Sequence, residues 1–307
     1  MKILITYPES FLSKILIETL SEQYKLITDE TDYLKLNETE KIIKISKPDL
    51  IILHSPFSGG IKLNIEKPAD LIISNNIVQT NVIKTALDNG INHLFFIGSS
   101  CMYPKNYSRK LCENDLFTGP LEETNSGYAT SKICGWQMCK AISMQYKKKY
   151  ITLIPANLFG EYDDFNPESA HVISSLIIRF HNAKINSDNE VTVWGTGSPV
   201  RDFLYAYDFA KAVKFLIENS CVFNEINIGS GNGNTISEIA ETVKKAVEFK
   251  GKLIFDAEKP DGMKVKVLNT EKINKSGWSA ATSLEQGIKN TYNWFLKNKD
   301  TQKYDNN

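Results

Sequence analysis

The chain has 307 residues, with 36 Lys and Arg balanced by 36 Asp and Glu, and a formal net charge of zero at pH 7. Hydrophobic residues make up 42% of it, enough for one large domain or two modest ones, and the balanced charge offers no basic excess for nucleic acid or an anionic membrane. No window reaches the ~20 apolar residues of a membrane span, and the opening Met1-Lys2-Ile3-Leu4-Ile5-Thr6 reads as a strand, its apolar run too short for a signal peptide.

The first half alternates strand and helix. Strands are predicted over 3–5, 25–27, 50–53, 94–97 and 151–154, where short apolar runs lack alternation, as in strands buried on both faces. Helical patterns fall between them, over 11–20, 38–45, 71–89 and 126–146, and Gly90 stops the third. Beyond these come a helix over 171–183, a strand over 191–193, a helix starting near Asp208 and a last sheet strand over 225–228. Gly229-Ser230-Gly231-Asn232-Gly233 looks phosphate-like but lacks the Gly-x-Gly-x-x-Gly spacing and a Lys-Ser/Thr ending, so it reads as a turn. It leads into a helix capped by Thr235 with Glu238, then a strand over 252–255 and a helix over 283–297.

The expected fold is therefore α/β: a doubly wound, Rossmann-like parallel sheet with a smaller α/β substrate-binding lobe. Residues 1–160 plus 203–232 form the first, 161–202 plus 233–300 the second, and 301–307 a frayed tail. The cleft between the lobes is the expected site. Five cysteines, at 101, 112, 134, 139 and 221, show no metal-ligand spacing, and their odd number reads as free thiols in a reducing cytoplasm.

The apolar run 94–97 stops at Gly98-Ser99-Ser100-Cys101, the position where ligands meet open α/β sheets. A helix from Ser126 then carries Tyr128 and Lys132 four residues apart, on one face. A cation beside a phenol favours the phenolate and lowers a pKa that starts near ~10. Such a tyrosine exchanges the proton that accompanies hydride movement at a carbonyl. Tyr207 and Lys211 have the same spacing without a serine-ended strand shortly before them, so the spacing alone says little.

With these residues the chain resembles the extended short-chain dehydrogenases/reductases, and among them the GDP-fucose synthases, 3,5-epimerase/4-reductases of GDP-4-keto-6-deoxymannose. The matching segments are 98–104, 118–132, 155–160, 166–180, 193–204 and 255–262, in family order, and the stretch 165–173 belongs to this branch rather than to the superfamily at large. The resemblance implies a reductase set of Ser99, Tyr128 and Lys132, with Cys101 and His171 as the acid and base of epimerisation. A 4-keto group acidifies C3 and C5, so a thiolate can remove a proton and an imidazole return one to the opposite face. It further implies that Gly59, Lys132, Pro155, Asn157, Leu158 and His171 contact a nicotinamide dinucleotide, that Arg179, Trp194, Arg201 and Asp261 hold the GDP-sugar, and that the protein is a homodimer whose interface uses the Tyr128 helix. Read without the family, Cys101 is a small buried hydrophobe, His171 a solvated helix start, Arg179 a surface charge and Trp194 core.

The first turn departs from the family: Tyr7, Ser10 and Ser13 stand where three glycines let a pyrophosphate approach a helix end. A tyrosine there is bulky, and Glu9 repels phosphate. Either the backbone amides still bind, or dinucleotide binding is lost or rearranged. After the second strand, Thr28-Asp29-Glu30-Thr31-Asp32 is acidic where the family has arginines for a 2′-phosphate, so Asp29 favours NAD(H) over NADP(H). The loop from His54 to Gly60 passes the cofactor, and Asn75 and Asn81 behind it read as polar surface or packing. The function implied is a GDP-4-keto-6-deoxy-hexose or -heptose epimerase/reductase. The alternatives are a single-activity enzyme of surface-polysaccharide synthesis, or a non-catalytic homologue that has lost its dinucleotide.

Overall fold

The computed structural model describes residues 1–166, 169–219, 223–259 and 261–299; Pro167, Glu168, Cys221 and the tail from Asp300 lie outside the described residues. The first half runs β1 (Lys2–Ile5), α1 (Phe11–Leu20), β2 (Lys25–Ile27), α2 (Leu36–Ser46), β3 (Leu50–Leu53), α3 (Ile61–Glu66), α4 (Pro68–Asp88), β4 (His93–Ile97), α5 (Ser126–Tyr146) and β5 (Lys149–Pro155). There follow β6 (Asn157–Phe159), α6 (Val172–Asn186), β7 (Glu190–Trp194), β8 (Val200–Arg201), β9 (Phe203–Tyr205), α7 (Ala206–Glu218) and β10 (Glu225–Ile228). The chain closes with β11 (Asn234–Thr235), α8 (Ile236–Val247), β12 (Lys252–Asp256), β13 (Val265–Lys266), α9 (Glu271–Lys275) and α10 (Leu284–Asn298).

Six strands form one sheet in the order β10-β5-β4-β3-β1-β2, parallel at every pairing. All of β3 and the last three residues of β1 are buried, as expected for strands covered on both faces. The winding reverses between β1 and β3, and ligand crevices of open α/β sheets lie beyond the carboxyl ends of the strands at such a point. Helix α5 occupies the predicted residues. Helix α4 starts at Pro68, ahead of the apolar periodicity, because a proline suits the first helical position.

Two apolar clusters fill the molecule. The larger surrounds the sheet; the smaller joins α6, α8 and α10 to the β7–β12 pair through Ile177, Phe180, Val193, Val243, Ile288 and Phe295. Leu268, Ile273 and Trp278, placed by the sequence in the smaller lobe, pack in the larger cluster instead, and Phe159 packs in the smaller. The reason is α9, which lies against β10.

Buried Asp202 ties the lobes together. Its carboxylate accepts from Ser230 N at 3.1 Å, Ser230 Oγ at 2.6 Å, Gly231 N at 3.2 Å and Leu268 N at 3.4 Å. Its carbonyl takes Asn157 Nδ2 at 2.9 Å. The glycine-rich loop 229–233 is thus a turn wrapped on a carboxylate; a Cβ on Gly229 would stand 2.5 Å from Asp202 Oδ2. Thr235 and Glu238 form the expected capping box. Tyr207 donates to the Glu18 carboxylate and Lys211 pairs with Asp208 at 3.4 Å, so the second Tyr–Lys match serves α1–α7 packing. Among the described residues, no helix is long and apolar enough to cross a membrane, and no group of three or more His, Cys, Asp or Glu could hold a metal ion. Cys101, Cys112, Cys134 and Cys139 are free thiols.

Candidate active site

Strand β4 ends at Ile97, and Gly98 continues it where a side chain would crowd Met102 Sδ at 3.0 Å and Thr152 Cγ2 at 3.2 Å. Ser99 follows in extended backbone, its Oγ accepting from Cys101 N at 3.1 Å and near enough to the Tyr128 phenol to favour its ionised form. Lys132 is 1% exposed. Its Nζ donates to Ile97 O at 3.2 Å and lies 5.7 Å from the centre of the Tyr128 ring. Burial pulls the Lys132 ammonium down to about 7. Burial also pushes the Tyr128 phenol above its ordinary value, with Cys101 adding to the rise and the Ser99 side chain opposing it. The expected lowering of the phenol by Lys132 is therefore outweighed by desolvation. Tyr128 is held protonated, the form that donates.

Cys101, half-buried in the turn after Ser99, has Asn125 Nδ2 at 3.4 Å and Lys266 Nζ at 3.7 Å from its sulfur. His171 is the residue before α6, with Nδ1 3.6 Å from Asp163 Oδ1. Asp163 is buried and its other oxygen accepts from Ser174 Oγ at 2.5 Å. The carboxylate raises the imidazole above its ordinary value against desolvation; Asp164 reinforces it and Lys266 opposes it. Lys266 therefore acts on both Cys101 and His171. Sequence reading missed Asn125, Asp163 and Lys266. Asp163 lies in an aperiodic Tyr162-Asp163-Asp164-Phe165 run and Lys266 on a two-residue strand, so neither carries a local signal.

At the crevice between β1 and β3, Tyr7 holds a left-handed backbone with φ 50°. Glycine adopts this freely and a tyrosine at a cost of about 1 kcal/mol, so the turn keeps its shape without its glycine. Ser10 caps α1 by accepting from Ser13 N at 3.4 Å, and buried Ser13 donates to Thr6 O at 2.9 Å across the strand–helix contact. The Tyr7 ring lies between Tyr33, with centroids 5.2 Å apart, and Phe57, edge-on at 6.0 Å. Asn81 donates to Tyr33 O at 3.0 Å and buried Asn75 to Phe57 O at 2.8 Å, so α4 braces the two loops that carry these rings. Asp29 is exposed in the loop after β2. Gly59 and Gly60 carbonyls both accept from Asn64 Nδ2, at 2.9 and 3.0 Å. Pro155 ends β5, while Asn157 and Leu158 pair with Phe203 and Leu204 in β6–β9.

The Tyr7 hydroxyl, His54 Nδ1 and Ser55 Oγ are buried in this crevice without hydrogen-bond partners. Burial and then the Lys132 charge bring His54 down to about 3, so it is neutral. Unpartnered polar atoms at the sheet's switch point, a buried lysine beside them and a left-handed turn fit the ribose and phosphate oxygens of a dinucleotide. The Tyr7 side chain is the part that departs from such a site.

In the smaller lobe, Arg179 donates to Thr192 O. Arg201 donates to Val200 O at 2.9 Å. Burial lowers both guanidiniums, and for Arg201 the charges of Cys101, Glu122 and Asp261 oppose this. Asp261 accepts from Thr196 N and Thr196 Oγ1, each at 2.7 Å, pinning the loop after β7. Trp194 is 68% exposed, with Lys259 Nζ 5.5 Å from its ring centre, and is not core.

Residues 14–229 match the NAD dependent epimerase/dehydratase family. The chain is 44% identical over 269 residues to the putative GDP-L-fucose synthase 2 of Arabidopsis thaliana, covering 88% of this chain and 82% of that protein. It is 37% identical over 306 residues to the GDP-L-colitose synthase of Yersinia pseudotuberculosis, covering 98% and 99%. The structure of a GDP-mannoheptose C4 reductase from Campylobacter jejuni with NADP bound superposes with a TM-score of 0.87 at 30% identity, covering 96% of this chain and 98% of that one. The chain belongs to the NAD dependent epimerase/dehydratase family.

Proposed function

We propose that this protein is a nucleotide-sugar epimerase/reductase acting on a GDP-linked 4-keto-6-deoxy-hexose or -heptose. The observation that carries the reading is the meeting of two sets of groups. The Ser99 side chain neighbours the Tyr128 phenol, whose ring centre is 5.7 Å from buried Lys132 Nζ, and Lys266 acts on both Cys101 and His171. Relatives that cover nearly the whole chain are synthases of GDP-L-fucose and GDP-L-colitose.

In this reading the Cys101 sulfur, contacted by Asn125 and Lys266, removes a proton from a carbon that the 4-keto group acidifies. His171, kept protonated by Asp163, returns a proton to the opposite face. In the reductive step Tyr128 gives its proton to the 4-oxygen while Ser99 bonds that oxygen. The dinucleotide supplies hydride when bound. It would be held by the turn bearing Tyr7, Ser10 and Ser13 and by Gly59, Lys132, Pro155, Asn157, Leu158 and His171, with Asp29 favouring NAD(H) over NADP(H). Arg179 and Arg201 suit a diphosphate through their forked donors, Trp194 offers an apolar face, and Asp261 fixes the loop between them. A cytoplasmic homodimer with α5 in its interface belongs to the same reading, supported by exposed Ile73 and Ile77 on the adjoining α4 and Met144 on α5.

A second reading, C4 reduction alone on a GDP-heptose, is favoured by the likeness to the mannoheptose C4 reductase. Incubation of a GDP-4-keto-6-deoxy sugar in D2O without nicotinamide separates them. Deuterium entering the ring supports the epimerase; none entering, with NADH or NADPH consumed on later addition, leaves the reductase alone.

A further inference from the structure

We propose that the Tyr7 side chain is a movable plug in the adenosine half of the dinucleotide crevice, so that a nicotinamide dinucleotide enters only as the ring swings out from between Tyr33 and Phe57 and is held loosely, as an exchanging reactant. This rests on the reading above, in which a dinucleotide is the crevice's ligand.

Position comes first. In a doubly wound sheet the pyrophosphate lies on the turn after the first strand, with the adenosine running towards the loop after the second. Tyr7 lies in that turn, Tyr33 belongs to the loop after β2 and Phe57 to the loop after β3. Their rings meet at centroid separations of 5.2 and 6.0 Å, across the path the adenosine would take. The two loops are themselves fixed, by Asn81 on Tyr33 O and Asn75 on Phe57 O. Tyr7 is then the part free to give way.

The ring's seat is also imperfect. Its hydroxyl is buried without a partner, and its backbone is left-handed, a conformation that disfavours a side chain. Swinging out gives that hydroxyl access to water. Around it the turn discourages tight phosphate binding. Ser10 already accepts from the Ser13 amide at the start of α1, and the Glu9 carboxylate, paired with Lys14 at 3.1 Å, adds negative charge. The nicotinamide half, with Ser99, Tyr128 and Lys132, is untouched by these changes. Affinity is therefore lowered while the reacting end keeps its groups.

The test is calorimetric titration of the full chain and its Tyr7→Gly and Tyr7→Phe variants with NADH, NADPH and, separately, GDP. Tyr7→Gly is expected to bind its preferred dinucleotide about tenfold or more tighter than the parent, and Tyr7→Phe, which keeps the ring and removes the unpartnered hydroxyl, no tighter than the parent. GDP binding should be equal in all three, which also reports correct folding; Tyr7→Asn, tolerant of a left-handed backbone, replaces the glycine variant if that one unfolds. Parent binding as tight as Tyr7→Gly overturns the plug and leaves the cofactor reading standing. Binding of GDP but of neither dinucleotide by any variant overturns the cofactor reading, and the plug with it.

Discussion

In the proposed epimerisation, Cys101 and His171 each depend on a neighbour. Lys266 is the only cation hydrogen-bonded to the Cys101 sulfur among the described residues. Lys266→Met should slow solvent exchange at the sugar ring by about tenfold, because the Cys101 sulfur loses the ammonium beside it. Tyr128→Phe should lower the reductive step by about 100-fold or more and leave ring exchange in place. Asp163 holds the proton on His171. Asp163→Asn should let the imidazole lose that proton at lower pH, moving the alkaline limb of exchange downward and lowering the His171 pKa seen by NMR titration. The linkage has a definite sign. The His171 pKa is raised in the folded state, so its stabilisation is fully present below the ordinary imidazole value near ~6.5 and is lost as pH rises through the raised folded value. Melting of the variant against the parent should differ more at pH 6 than at pH 8.

At the scale of elements, Asp202 does for the two lobes what caps do for one helix, drawing four donors from two segments onto one buried carboxylate. Asp202→Ala should cost about 3 kcal/mol in denaturant unfolding, since it strands those donors. A loss below about 1 kcal/mol would show that the loop 229–233 finds its turn without it. The elements that could be read from the sequence are those with their own pattern: β1, β3 and β4 as unbroken apolar runs, α5 by its position after the Ser99 strand, and α8 by its capping box. The strands that escaped reading, β6, β8, β9, β11 and β13, are two or three residues long and exist through their partners, and the missed helices α3 and α9 are six and five residues long. Site residues divide the same way. Ser99, Tyr128 and Lys132 were legible because a strand end and a helical spacing placed them. Asp163, Asn125 and Lys266 come to Cys101 and His171 only through the fold.

For the whole molecule, the proposed site has the Tyr7 turn, at the sheet reversal between β1 and β3, as one wall and the arginines of the smaller lobe as the other, with Cys101, Tyr128 and His171 between. The composition alone could not separate the lobes, because segment 268–278 crosses back to pack under β10. The reading of the whole stands or falls on what happens to a ring carbon between these walls. The direct measurement is NMR of GDP-4-keto-6-deoxymannose incubated with the protein in D2O, first without nicotinamide and then with NADH or NADPH. The account predicts deuterium at C3 or C5 in the first stage, absent from Cys101→Ser, and a C4-reduced product in the second. The absence of both deuterium uptake and dinucleotide consumption would contradict it.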